Sequence, residues 1–255
     1  MTLIAGCGIM LFTFGPRSSL GLFMDPISSY NQWNRGVFAL AIAIQNLVWG
    51  FTQPFFGALA DRFGAAKIIT LGTIAYALGI AIMSVAESPA TLYLSVGLLA
   101  GVGLSGASIT IVIAAVAQRV PENKRSISLG LIAAAGSFGQ FSVVPACQSI
   151  MLEYGWQIAT LFLSSLIFLV LVFALGFKSP KQAATSLPET NEIKKVIKIA
   201  FTTRSYLLLV TGFFVCGFHV AFITNHFPAY LTDLGIESQS AAWAVSLIGL
   251  FNIFG

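Results

Sequence analysis

Charge is scarce in this chain. Lys, Arg, Asp and Glu make up 9% of its 255 residues, against roughly a quarter of a soluble domain, and so a solvated globular surface is excluded for most of its length. Acidic residues are scarcest. The nine present are Asp25, Asp61, Glu87, Glu122, Glu153, Glu189, Glu192, Asp233 and Glu237, and each falls in a connection or at the end of an apolar run, which leaves no carboxylate in the middle of one. Cysteine is nearly absent too. Cys7, Cys147 and Cys216 sit inside apolar runs with no C-x-x-C spacing, so they read as small packing residues rather than metal ligands or a redox pair. Neither a metal site nor a cofactor is expected. Met1 meets the first apolar run without the positive flank and small-residue cleavage site of a secretory signal.

What is abundant is apolar: 57% of the residues are hydrophobic. Apolar windows recur near the ~20 residues that a helix needs to cross ~30 Å of hydrocarbon, and only spans whose backbone hydrogen bonds close internally survive there. The spacing predicts an all-α, polytopic transmembrane bundle in a lipid bilayer. Its spans lie near Met1–Met24, Gly36–Ala58, Lys67–Ala86, Ala90–Ala117, Ser126–Leu152, Trp156–Phe177 and Ser205–Tyr230, with an eighth opening near Gln239. Because the last apolar helix is still running at Gly255, the expectation is the front portion of a longer protein.

The net charge of +4 does not indicate nucleic acid, because its placement is topological. Arg62, Lys67, Arg119, Lys124, Arg125, Lys178, Lys181, Lys194, Lys195, Lys198 and Arg204 lie in or beside the connections after the second, fourth and sixth spans. Positive charge concentrates on the cytoplasmic side, so those connections and the amino terminus are expected there. The longest polar stretch divides the chain into a six-span bundle at 1–177, a cytoplasmic linker at 178–204 and the start of a second bundle at 205–255. Residues 189–202 alternate apolar and lysine positions at helical spacing, which suits either a segment lying on the inner leaflet or a solvated linker.

Between the second and third spans stands "GALADRFGAAK", Gly57 to Lys67. It resembles the signature of the major facilitator superfamily, G-x-L-x-D-R-x-G-x-x-[KR], in the same connection. The resemblance implies a transporter, not an enzyme, whose cytoplasmic gate includes Gly57, Asp61, Arg62, Gly64 and Lys67. In that role Gly57 would let helices approach, Gly64 would permit the turn and Asp61 would sit against a helix amino terminus. "GPRSSLGLFMDPIS", "AIAIQNLVWGFTQPFFGALADRFG" and "CGFHVAFITNHFPAYLTDLGI" further resemble the bacterial branch that groups monocarboxylate porters with oxalate:formate antiporters. A bacterial inner-membrane location is implied. The fourth span carries no mid-span arginine, unlike the superfamily's proton-coupled drug exporters.

One residue breaks the apolar pattern of the first span. Arg17 lies roughly 12 Å inward of Asp25 at 1.5 Å per residue, and a charge at that depth costs about 2.5–3.5 kcal/mol unless it is paired or wetted. With no carboxylate at mid-depth, the expected counter-ion is a small anionic substrate held on both prongs of the guanidinium. Snorkelling to the interface and pairing with an acid beyond this chain are the alternatives. Gln45 on the second span, Gln140 on the fifth, His219 on the seventh and Asn252 on the eighth fall near the same depth, with Trp49 one turn from Gln45. All are candidates to line the site, and hydrogen bonding between helices is the other use of the glutamines. His219 is also the candidate coupling residue if protons drive transport, against a purely structural role.

"GVGLSG", Gly101 to Gly106, matches a dinucleotide fingerprint but lies inside a span, where Gly97, Gly101, Gly103 and Gly106 better serve helix packing. Its Ser105, with His219 as base, makes an intramembrane serine protease the remote alternative. The leading expectation is a secondary transporter of a small organic anion, by proton symport or exchange, and the runner-up carries a neutral sugar or drug.

Overall fold

A computed structural model describes residues 2–177, 199 and 201–254. All regular structure among them is helical. Helix α1 covers Thr2–Asn31, α2 Arg35–Phe63, α3 Ala65–Met83 and α4 Pro89–Ala117. The run Glu122–Phe177 is 56 residues long and turns back at Gly155, where φ is 85° and ψ 167°. That conformation is readily open only to glycine. Its limbs are α5, residues 122–154, and α6, residues 156–177. Helices α7, Arg204–Asp233, and α8, Ser238–Asn252, complete the order. Among the described residues six helical runs are long and apolar enough to cross a membrane, and dividing Glu122–Phe177 at Gly155 yields the seven spans expected, with α8 the eighth. The linker and its basic residues lie outside the described residues, apart from 199 and 201–204.

Large apolar side chains face outward. Leu47, Phe51 and Phe55 on α2 and Leu71 and Leu78 on α3 are exposed, as suits a surface solvated by acyl chains. Where helices cross most closely the contacts are made by small residues, since lipid supplies no hydrophobic drive for helices to associate and close packing must do so. On α4 the expected glycine role is seen on two faces. Gly97 and Gly101 lie against Ile44, Val48 and the Gln45 carbonyl of α2, and Gly103 and Gly106 against the backbone of Gly72 and Tyr76 on α3. Any Cβ at Gly103 would overlap the Tyr76 backbone. Helices α1 and α5 meet in the same way.

Two apolar clusters fill the bundle. One, including Phe23, Ile27, Phe38, Met83 and Ile167, lies toward the end carrying Asp25 and Arg35. The other, including Ile9, Ile69, Val116 and Val170, lies toward the end carrying Arg62 and Arg119, hereafter the basic end. Arg17 falls between them, just past Pro16 and before the 3₁₀ turn Leu20–Phe23. Proline inside a helix removes one backbone hydrogen bond, and here Pro16 stands directly beside the charged residue.

Candidate binding site

Helix α1 delivers Arg17 to a small cavity where α2, α5 and α7 converge. Phe14, Arg17, Ser18, Ile42, Gln45, Asn46, Gln140, Val220, Thr224 and Asn225 line it. The Arg17 guanidinium lies 4.4 Å from the Trp49 ring centroid and 5.7 Å from that of Phe14, and one Nη donates to Asn46 Oδ1 at 3.0 Å. Asn46 is held in turn, its Nδ2 donating to the Ile42 carbonyl at 2.9 Å. Aromatic faces attract a cation that is out of water, so this cradle holds the charge without neutralising it. Among the described residues no carboxylate pairs with Arg17, because both ion pairs present belong to Arg35. Snorkelling is not seen: the side chain stays partly buried in the middle of the bundle.

The other expected residues divide. Trp49 is at the site, stacked on Arg17, with its Nε1 buried and unpartnered among the described residues. Gln45 lines the cavity but donates to the Val96 carbonyl of α4 at 3.1 Å. It heads a ladder between α2 and α4 that continues through Thr52–Ser105 and Gln53–Thr110. Hydrogen bonding between helices is thus its observed use. Gln140 reaches the cavity as well, and donates to the Val245 carbonyl of α8 at 3.0 Å.

His219 and Asn252 are not brought there. Helix α7 presents Val220, Thr224 and Asn225 to the cavity, and at 100° per residue His219 and His226 fall on its opposite side. His219 is exposed, and its Nδ1 is 2.8 Å from the Val215 carbonyl. Asn252 is exposed at the last residue of α8. Residue counts along single helices carry no azimuth, and it is azimuth that turns His219 away from the cavity. Asn46, Thr224 and Asn225 are the residues that sequence reasoning missed. The available signal was the run of small and polar side chains at Ala221, Thr224, Asn225, Pro228, Ala229 and Thr232, which marks a packed face.

The protease alternative fails on geometry. Ser105 is fully buried, 2.6 Å from Thr52 Oγ1 and bonded to the Trp49 carbonyl at 3.0 Å, while His219 faces away on another helix.

The signature segment lies at the basic end. Gly64 ends α2 with φ 92°, donating its N–H to the Ala60 carbonyl, as the turn requires. The expected role of Gly57 is corrected, because a Cβ there would meet nothing within 4 Å. Asp61 caps no described helix: the residue before α3 is Gly64, with no side-chain cap bond. Instead Gly57, Asp61, Thr110, Gln118 and Arg119 line an open groove, while Arg62 and Lys67 are exposed.

Apolar-faced helices, a polar interior layer and a buried charge at a crevice define a polytopic membrane protein of the kind that handles solutes. The model of the Major Facilitator Superfamily matches residues 6–255, and the chain belongs to that family. It is 24% identical over 259 residues to the MFS-type transporter YcxA of Bacillus subtilis, covering 97% of this chain and 62% of that protein. It is 27% identical over 256 residues to monocarboxylate transporter 13 of Bos taurus, covering 95% of this chain and 56% of that one. The chain therefore spans little more than half the length of these relatives. Its fold superposes on the crystal structure of a D-xylose-proton symporter with a TM-score of 0.64 at 16% identity, over 99% of this chain and 66% of that one.

Proposed function

We propose that the protein is a secondary transporter of a small organic anion, and that Arg17 is the group that binds it. A single observation carries the reading: a permanent cation between two apolar clusters, cradled by Trp49, Phe14 and Asn46, with no carboxylate partner among the described residues. A visiting carboxylate supplies the missing charge and accepts from the N–H groups that Asn46 leaves free. The names of relatives such as monocarboxylate transporter 13 support that class. Residues 1–177 form one bundle and 205–255 begin the second, joined by a cytoplasmic linker, and the site opens alternately as the two rock. By the positive-inside bias the basic end is cytoplasmic in a bacterial inner membrane. Proton symport and anion exchange both satisfy the site, and His219, turned away from the cavity, is not assigned the proton.

The test is uptake of a labelled panel of mono- and dicarboxylates by the full-length protein in liposomes, with Arg17→Lys as comparison. Saturable uptake by the parent and its loss in the variant are expected, and full uptake by Arg17→Lys overturns bidentate recognition. A second reading, a neutral sugar, is favoured by the amides Gln45, Asn46, Gln140 and Asn225 around the same cavity. Sugars in the same panel decide between them.

A further inference from the structure

The hydrogen bonds already made around Arg17 fix which way its polar neighbours face. Gln140 of α5 is 5% exposed, and its Nε2 donates to the Val245 carbonyl of α8 at 3.0 Å. A backbone carbonyl can only accept, so this amide must stand nitrogen-first against α8, and Oε1 is the end left over. Asn225 of α7 is turned the same way, its Nδ2 donating to the Ala221 carbonyl at 2.7 Å. The Thr224 hydroxyl spends its one hydrogen on the Val220 carbonyl at 2.7 Å. All three residues line the cavity, and among the described residues nothing donates to the oxygen ends of the two amides.

The cavity therefore has two unlike halves. Helix α1 brings a permanent cation whose free N–H groups donate, and α5 and α7 bring oxygens that accept. A buried acceptor left without a donor is costly. A carboxylate whose tail is bare hydrocarbon would displace water from those oxygens and return no hydrogen bond. An ammonium would satisfy them, but among the described residues the cavity has no carboxylate to receive its charge. A hydroxyl donates without charge. In this conformation the cavity measures about 20 Å³, room for about one water, so the polar groups rather than the present shape define the ligand.

We propose that the solute is a carboxylate bearing two or more hydroxyls, with the carboxylate on Arg17 and the hydroxyls donating to Gln140 on α5 and to Asn225 and Thr224 on α7. The inference rests on the anion reading and narrows it. It also removes the choice between an anion and a sugar, because the guanidinium and the amides then serve different groups of one ligand.

The test is binding to the full-length protein in detergent, with apparent Kd taken from the ligand-dependent rise in melting temperature. Propionate is paired with glycerate and hexanoate with gluconate, so that the members of a pair differ chiefly in hydroxyls. Serine replaces one hydroxyl of glycerate by an ammonium, and glycerol lacks its carboxylate. In at least one pair the hydroxylated acid is expected to bind about tenfold tighter than its partner, the effect of leaving a buried acceptor unpaired, and tighter than serine or glycerol. In Gln140→Leu, and independently in Asn225→Leu, that ratio is expected to fall to within about threefold. Loss of stability alone does not move it, because both acids meet the same protein, and either variant suffices if the other fails to fold. Equal binding within both pairs overturns the proposal and leaves the anion reading standing, and tighter binding of serine than of glycerate overturns the hydroxyl. A ratio unchanged in the variants overturns the assignment to these amides. Binding of no acid overturns the anion reading and this inference with it.

Discussion

Arg17 meets two kinds of neighbour: flat π-surfaces at Trp49 and Phe14, and one amide at Asn46. The rings stabilise any cation, whereas the free N–H groups favour a planar anion. Lysine keeps the charge and loses the fork, so if the proposed anion is the substrate, Arg17→Lys is expected to lower kcat/KM for it by about 10- to 100-fold, the worth of a charge-assisted bond. Trp49→Ala removes a cation–π contact of about 1 kcal/mol and should weaken apparent affinity by about fivefold in the same uptake assay. Gln45 behaves differently. Its amide nitrogen is engaged by Val96, and interhelical bonds of this type average about 0.6 kcal/mol. Gln45→Leu should therefore lower thermal stability in detergent slightly while leaving KM within twofold, and a large rise in KM would restore it as a ligand.

At the scale of helices, packing is set by where a methyl group fits. Gly103 of α4 faces the Tyr76 backbone and Gly57 of α2 faces open space. Gly103→Ala forces backbone apart and is expected to destabilise the bundle by roughly 1–3 kcal/mol. Gly57→Ala is expected to be neutral or slightly stabilising, because helix propensity improves. Thermal unfolding of the two variants side by side checks the contrast. Both glycines stand in glycine-bearing motifs and look equally suited to close packing in sequence, because residue type records the permission to approach and not the presence of a neighbour. Elements themselves were legible. The break at Gly155, the turn at Gly64 and the limits of α5 and α6 follow from local chemistry: a positive φ open to glycine, and apolar runs near the bilayer thickness.

For the whole molecule the question is which faces meet. If protons drive transport, His219→Gln is expected to leave the pH profile of uptake between 5.5 and 8 unchanged, since the ring lies across α7 from the cavity; a displaced profile would return the coupling role to it. Composition, span count, the superfamily signature and the presence of one arginine inside the first apolar span were all determined by the sequence alone, because hydropathy is a property of one stretch of chain. The rotation of α7, which brings Thr224 and Asn225 instead of His219 to the site, was decided by the tertiary structure. So was the pairing of Arg35 with an acid 198 positions away. Both depend on contacts between helices whose azimuths no single helix specifies, and lipid, unlike water, leaves few polar faces to mark which side turns inward.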